Sequence, residues 1–232
     1  MPAVDRRFIV FLVAAAALVP AVLLSDGEGL ANQIVLGAVT TAFLWRFARG
    51  SSVESTQIVC AIVVATVGEL VLSLGWGLYT YRYAVLPLYV PVGHGLFYAI
   101  AAETSRQRVV RFYAPIITGA ALLAGSIYAG ISFVLFSDQL GLLWWVAAAL
   151  LILSSENRLL LSVCFVYTIL LEWLGTGIGN WRWAAEVPVL GIQSANPPSG
   201  VGILYILLDL ITVSICIRIP AIRTPRAALH AP

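Results

Sequence analysis

The chain predicts an all-α fold: a polytopic membrane helical bundle of about eight transmembrane helices, arranged as two parallel four-helix repeats. Three observations predict it. Hydrophobic residues fill 61% of the 232 positions and charged residues only 10%, against about a quarter charged in soluble domains. The apolar runs reach the roughly 20 residues that a helix needs to cross a bilayer. A pattern of polar and aromatic residues also occurs twice at closely matching spacings, in a chain otherwise dominated by Leu, Val, Ala and Ile.

Eight apolar stretches follow one another at 7–24, 30–48, 56–78, 84–104, 112–136, 140–155, 158–178 and 199–218. The first begins after Arg6 and Arg7 and resembles a signal peptide. It is long and has no small-residue cleavage site before Asp26, so it predicts a retained helix. With the N-terminus on the cytoplasmic side, Arg6, Arg7, Arg46, Arg49, Arg106, Arg108, Arg111, Arg158, Arg218, Arg223 and Arg226 fall inside. Only Arg82 and Arg182 fall outside. That bias sets topology, and it predicts a multi-pass protein of the cell membrane with both termini cytoplasmic. The acidic residues Asp26, Glu28 and Asp138 fall in outer loops.

Residues 1–218 form a single transmembrane domain, with repeat 1 at about 7–104 and repeat 2 at about 112–218; residues 219–232 read as a cytoplasmic tail. A repeat of four spans preserves direction, so the halves are parallel about an axis along the membrane normal. The first, second, fifth and sixth helices carry no matching residues and read as scaffold. Two outer segments are longer than turns, Tyr83 to Val90 and Trp183 to Ser199, and suit a lid over a cavity. Within the second, Asn196 before Pro197 has the pattern of an N-cap and first helical position, which starts the last helix there.

The repeated pattern carries the candidate chemistry. Glu69 is followed by Ser73, by Tyr79 and Tyr81 after Gly77, and by Pro91-x-Gly93-x-Gly95-x-x-Tyr98. Glu172 is followed by Thr176, by Trp181 and Trp183 after Gly179, and by Pro198-x-Gly200-x-Gly202-x-x-Tyr205. Both carboxyls lie one to three turns from the outer ends of their helices, and Asp209 sits near the middle of the last. An ionised carboxylate at the bilayer centre costs about 2.5–3.5 kcal/mol on the lenient insertion scale, so such groups point inward and are paired or neutral. Ser73 and Thr176 stand one turn beyond their glutamates, on the same face, and are expected to orient the carboxyls. A structural clasp between helices is the competing reading.

His94 is the only histidine outside the tail, and its counterpart in the second copy is Val201. Flanking glycines leave space around it, and Tyr98 follows one turn below. Asp209 follows Tyr205 by one turn, whereas Glu103 falls at the inner boundary. The aromatic pairs suit either interface anchoring or stabilisation of a carbocation by their ring faces. Trp144 and Trp145, without counterparts, read as belt residues.

Several classes are excluded. All basic residues are arginine, so lysine Schiff-base chemistry is absent, and their placement at helix ends does not suit nucleic acid. Cys60, Cys164 and Cys216 lie in apolar runs without metal-ligand spacing, so neither a metal nor a disulfide is expected. No P-loop, dinucleotide fingerprint or nucleophile elbow is present, and no cofactor is expected.

The stretch from Glu69 to Tyr81, a Glu followed by Gly-x-Tyr-x-Tyr and a proline-bearing return helix, is similar to the membrane carotenoid hydratase family. It departs from that family in lacking Pro-Phe-Gly before the tyrosines. An all-helical chain with one acid in an early helix and one in the last also resembles the integral membrane terpene cyclases, which have seven spans where this chain has eight. These resemblances imply protonation-initiated cyclisation or hydration of an isoprenoid lipid, with Glu69 and Asp209 as the acid pair. From the residues alone, Glu69, Asp209, Glu172 and His94 are the candidate catalytic groups. Tyr79, Tyr81, Trp181, Trp183, Tyr98, Tyr205 and Asn196 are the candidate substrate-binding groups. A transporter of small molecules or lipids, or a non-catalytic accessory subunit, stays open beside the enzyme.

Overall fold

The computed structural model describes residues 5–218; the expected tail at 219–232 lies outside the described residues. The described chain is almost entirely helical, as its apolar runs dictate. α1 (Arg6–Leu24) is N-capped by Asp5, whose carboxylate accepts from the Arg7 amide at 2.9 Å. There follow α2 (Leu30–Ala48), α3 (Ser55–Glu69), a π-helical continuation (Leu70–Gly75), β1 (Tyr79–Tyr81), α4 (Tyr89–Arg106) and the short α5 (Arg108–Phe112). The second half comprises α6 (Ala114–Phe136), α7 (Gln139–Ser154), α8 (Arg158–Ile178), β2 (Trp181–Trp183) and α9 (Gly202–Arg218).

Among the described residues, four helical segments are long and apolar enough to cross a membrane: α1, α3 with its π-helical continuation, α6 and α8. α7 is apolar but shorter. Large apolar side chains such as Val10, Val67, Val134 and Leu150 are more than half exposed, which suits a lipid surround better than water. α4 packs against α2, α3 and α8, and α9 packs against α3, α7 and α8, so these inner helices join the two ends of the sequence.

Two boundaries differ from expectation. The fourth stretch becomes helical only at Tyr89, after a turn through Ala84 and Pro87, and the last at Gly202 instead of 199. Asn196 is therefore not an N-cap. It precedes a cis peptide bond to Pro197, and its Oδ1 accepts from the Trp183 amide at 2.9 Å.

Two acids expected in outer loops are buried. Asp138 is fully enclosed and accepts from the amides of Gly141, Ala195 and Ser199 and from the Ser132 hydroxyl. It thereby caps α7 and fastens the long β2–α9 segment to it. Asp26 accepts from Gln33 and Asn180, tying the α1–α2 turn to the end of α8. Trp145 is likewise no belt residue: it is 5% exposed and packs against Phe165. Trp144 meets Trp183 edge-on.

Candidate functional site

The two copies of the aromatic motif meet. β1 and β2 form a two-stranded antiparallel ribbon in which Tyr79 pairs with Trp183, Thr80 with Arg182 and Tyr81 with Trp181. Side chains alternate along a strand, so Thr80 and Arg182 face out while all four aromatic residues face in and are buried. Each strand follows a glycine at positive φ, Gly77 at 73° and Gly179 at 81°. That conformation costs glycine little and reverses the chain sharply after the helix. Arg82, beyond the ribbon, donates to the carbonyls of Gly179 and Ile178 and closes the C-terminal end of α8.

Beneath the ribbon, each glutamate is held by the aromatic pair of its own strand. Glu69 Oε2 accepts from the hydroxyls of Tyr79 and Tyr81, both at 2.7 Å. Glu172 Oε2 accepts from the indole N–H groups of Trp181 and Trp183 at 2.8 and 2.9 Å. Ten residues separate Glu69 from Tyr79 and nine separate Glu172 from Trp181. The extra residue is taken up in the π-helical turn, where the Trp76 amide bonds the Val71 carbonyl five residues back. A π-turn accommodates one added residue without ending the helix, so both pairs reach their carboxyl in the same way. Burial, followed by the neighbouring Glu69 carboxylate, raises the pKa of the Tyr79 and Tyr81 hydroxyls, which keeps both as donors.

The hydroxyls one turn beyond the glutamates do not orient the carboxyls. Ser73 donates to the Tyr79 carbonyl at 3.0 Å and Thr176 to its own helix at the Glu172 carbonyl, 2.6 Å. Thr176 bonds back to the carbonyl one turn earlier, the common alternative for a helical hydroxyl, whereas Ser73 reaches forward to the strand.

His94 breaks the equivalence of the two carboxyls. Its Nδ1 lies 3.0 Å from the Val90 carbonyl, an acceptor only, so Nδ1 carries a hydrogen. Its Nε2 faces Glu69 Oε1 at 3.4 Å. Glu172 Oε1 takes no hydrogen bond from the described residues.

These groups line one end of a cavity of about 940 Å³, whose remaining wall is overwhelmingly apolar and comes from α1, α2, α3 with its π-helical continuation, α4, α8 and α9. His94 stacks flat on Tyr205, and Phe97 packs between Tyr205 and Tyr167. Phe97 and Tyr167 belong to the cavity wall but to neither copy of the repeated pattern, and nothing in their spacing marks them.

Of the residues singled out from the sequence, Glu69, Glu172, His94, Tyr79, Tyr81, Trp181, Trp183 and Tyr205 come together around this cavity. Asp209 and Tyr98 do not line it. Asp209 is 2% exposed, lies beside Cys164, and has an Oδ2 without a partner. Tyr98 is buried in a separate cluster with Ile58, Ala61 and Leu96. Asn196 sits behind the ribbon on the Trp183 amide. Among the described residues there is no cluster of His, Cys, Asp and Glu able to hold a metal ion, and the three cysteines are free. No protein-family model matches the chain, and no curated protein or solved structure matches it.

Proposed function

We propose that the chain is a membrane-embedded enzyme that cyclises or hydrates an isoprenoid lipid by proton transfer within this cavity. It spans the bilayer eight times as two parallel four-helix halves, with the ribbon at the outer face. The observation that carries the reading is the concentration of Glu69, Glu172 and His94 at one end of an otherwise apolar cavity. An apolar chain fills such a space, and only its end near the ribbon meets groups that exchange protons.

The roles divide by hydrogen bonding. Indole N–H groups donate and do not exchange protons readily, so they occupy Glu172 Oε2 and leave Oε1 to carry the acidic hydrogen. Glu172 protonates a carbon–carbon double bond: the O–H bond breaks, a C–H bond forms, and the positive charge moves onto the substrate. Tyr205, Phe97 and the ribbon aromatics present ring faces that stabilise such a cation. The Glu69–His94 pair then takes a proton from the neighbouring carbon to close a cyclisation, or from an attacking water to complete a hydration. Asp209, which the resemblance implies as one of the acid pair, lies off the cavity wall, and Glu172 takes its place.

One observation favours a second reading. Each carboxyl accepts two bonds from its own strand, the arrangement of a clasp, and a lipid transporter with a fixed ribbon would be built similarly. Lipid analysis of cells carrying Glu172→Gln, Glu69→Gln or His94→Gln separates the two. Accumulation of an unaltered isoprenoid at normal protein level supports the enzyme. An unchanged lipid profile with altered lipid distribution between the leaflets would favour the transporter.

A further inference from the structure

The segment joining β2 to α9 carries an apolar tip on a polar neck. At the neck Glu186 and Gln193 pair across the chain, and their side chains bond at 3.3 Å. Val187 is 1% exposed, and its amide bonds the Ile192 carbonyl at 2.8 Å. The chain then turns tightly, the amides of Leu190 and Gly191 both reaching the Val187 carbonyl. Pro188, Val189 and Leu190 form the tip; Val189 is 98% exposed and Leu190 56%. Val189 has a φ of 72°, a left-handed conformation that a β-branched residue rarely adopts. The Trp76 indole donates to the Pro188 carbonyl at 3.0 Å and fixes the tip against the end of the α3 segment.

We propose that residues 188–190 insert among the acyl chains of the leaflet on the ribbon side, with Glu186 and Gln193 at headgroup level. A turn facing water selects Gly, Asn, Asp or Ser; this one holds two large apolar side chains outward and no charge. Its neighbours point the same way. Trp76 is an aromatic residue of the kind concentrated at the membrane interface. Val67, Val71 and Leu74 of the adjoining segment are about half exposed and apolar, so the tip continues a surface that already suits lipid. Val63, Val67 and Val71 also line the cavity, which puts the inserted tip beside the place where the cavity wall reaches the lipid-facing surface. The proposal rests on the reading that the long helices span a bilayer.

Spin labels test it in lipid nanodiscs. A single cysteine is introduced as Val189→Cys, with Cys60, Cys164 and Cys216 replaced by serine or alanine. Val134→Cys, on an exposed apolar residue that does not line the cavity, serves as the lipid-facing control and Glu28→Cys as the aqueous one. Insertion predicts that the label at position 189 collides with oxygen in preference to a water-soluble nickel chelate, as at position 134. A label at 189 that behaves like the one at 28 would overturn the proposal. A water-accessible label at 134 would overturn the membrane reading with it. In the native-cysteine background, Val189→Trp adds emission that brominated lipids quench beyond the wild-type level; added emission quenched only by acrylamide counts against insertion.

Discussion

His94 lies flat against Tyr205, their ring centroids 5.1 Å apart and their planes within 8°, while its Nε2 reaches Glu69. The stack fixes the ring from one side and the Val90 carbonyl fixes its Nδ1, so the one free nitrogen is aimed at the carboxyl. Val201 stands at the matching position of the other copy, so among the described residues only Glu69 of the two carboxyls faces a histidine.

That difference predicts the effect of equalising the two sides. His94→Val removes the proton carrier but keeps a compact side chain in the stack. Product formation is expected to fall by about a hundredfold or more, the range of general acid–base catalysis. His94→Gln retains hydrogen bonding without proton exchange at neutral pH and is expected to lose as much. Turnover of the extracted lipid, measured with matched protein levels, checks both; full activity in either variant would remove His94 from the chemistry.

The indole pair on Glu172 predicts a measurable clasp. Trp181→Phe and Trp183→Phe each keep an aromatic ring and delete one donor to a buried carboxyl oxygen. Each is expected to destabilise the fold by about 1–3 kcal/mol, read from denaturant unfolding in detergent. Combining either with Glu172→Leu, which removes the acceptor, should cost clearly less than the sum of the two single changes, because both act on one contact.

Gly175 predicts how tightly the ribbon is seated. A Cβ at this position would run into the Trp181 ring, while one at Gly177 would meet nothing within 4 Å. Gly175→Ala is expected to cost about 1–3 kcal/mol through overpacking. Gly177→Ala is expected to stabilise by up to about 1 kcal/mol through helix propensity. Equal effects at the two sites would mean that Trp181 does not rest on α8.

Asp209 predicts the reverse of an essential group for stability. Its Oδ2 is buried without a partner, and replacing such a group by an apolar one of similar size tends to be neutral or stabilising. Asp209→Leu is expected to raise the thermal midpoint or leave it unchanged. A large drop would show that the carboxyl is satisfied by a water or ion inside the bundle.

The site was legible where polar residues interrupt apolar runs. Glu69, Glu172 and His94 stand out because a membrane helix tolerates such side chains only when they face protein or a cavity. Their aromatic partners were legible through repetition. Which atoms would bond was not: a Ser or Thr one turn away looks like the natural partner until the backbone carbonyl claims it. The π-helical turn was hidden because it changes hydrogen-bond register without changing composition. Asp138 was placed only in an outer loop and Asn196 was read as an N-cap, because neither residue's buried backbone partners can be read from the order of residues. Phe97 and Tyr167 resemble any aromatic residue in an apolar helix, and only packing brings them to the cavity.

The pairing of β1 with β2 sets Thr80 opposite Arg182, with Tyr79 against Trp183 on one side and Tyr81 against Trp181 on the other. Such a ladder is self-complementary: half a turn about its central pair exchanges the strands and returns the same contacts. Two identical chains build a ladder of this kind at an isologous interface, where every residue must serve both roles at once. Here a single chain supplies both strands, which lifts that obligation, and tyrosine can serve one carboxyl while tryptophan serves the other.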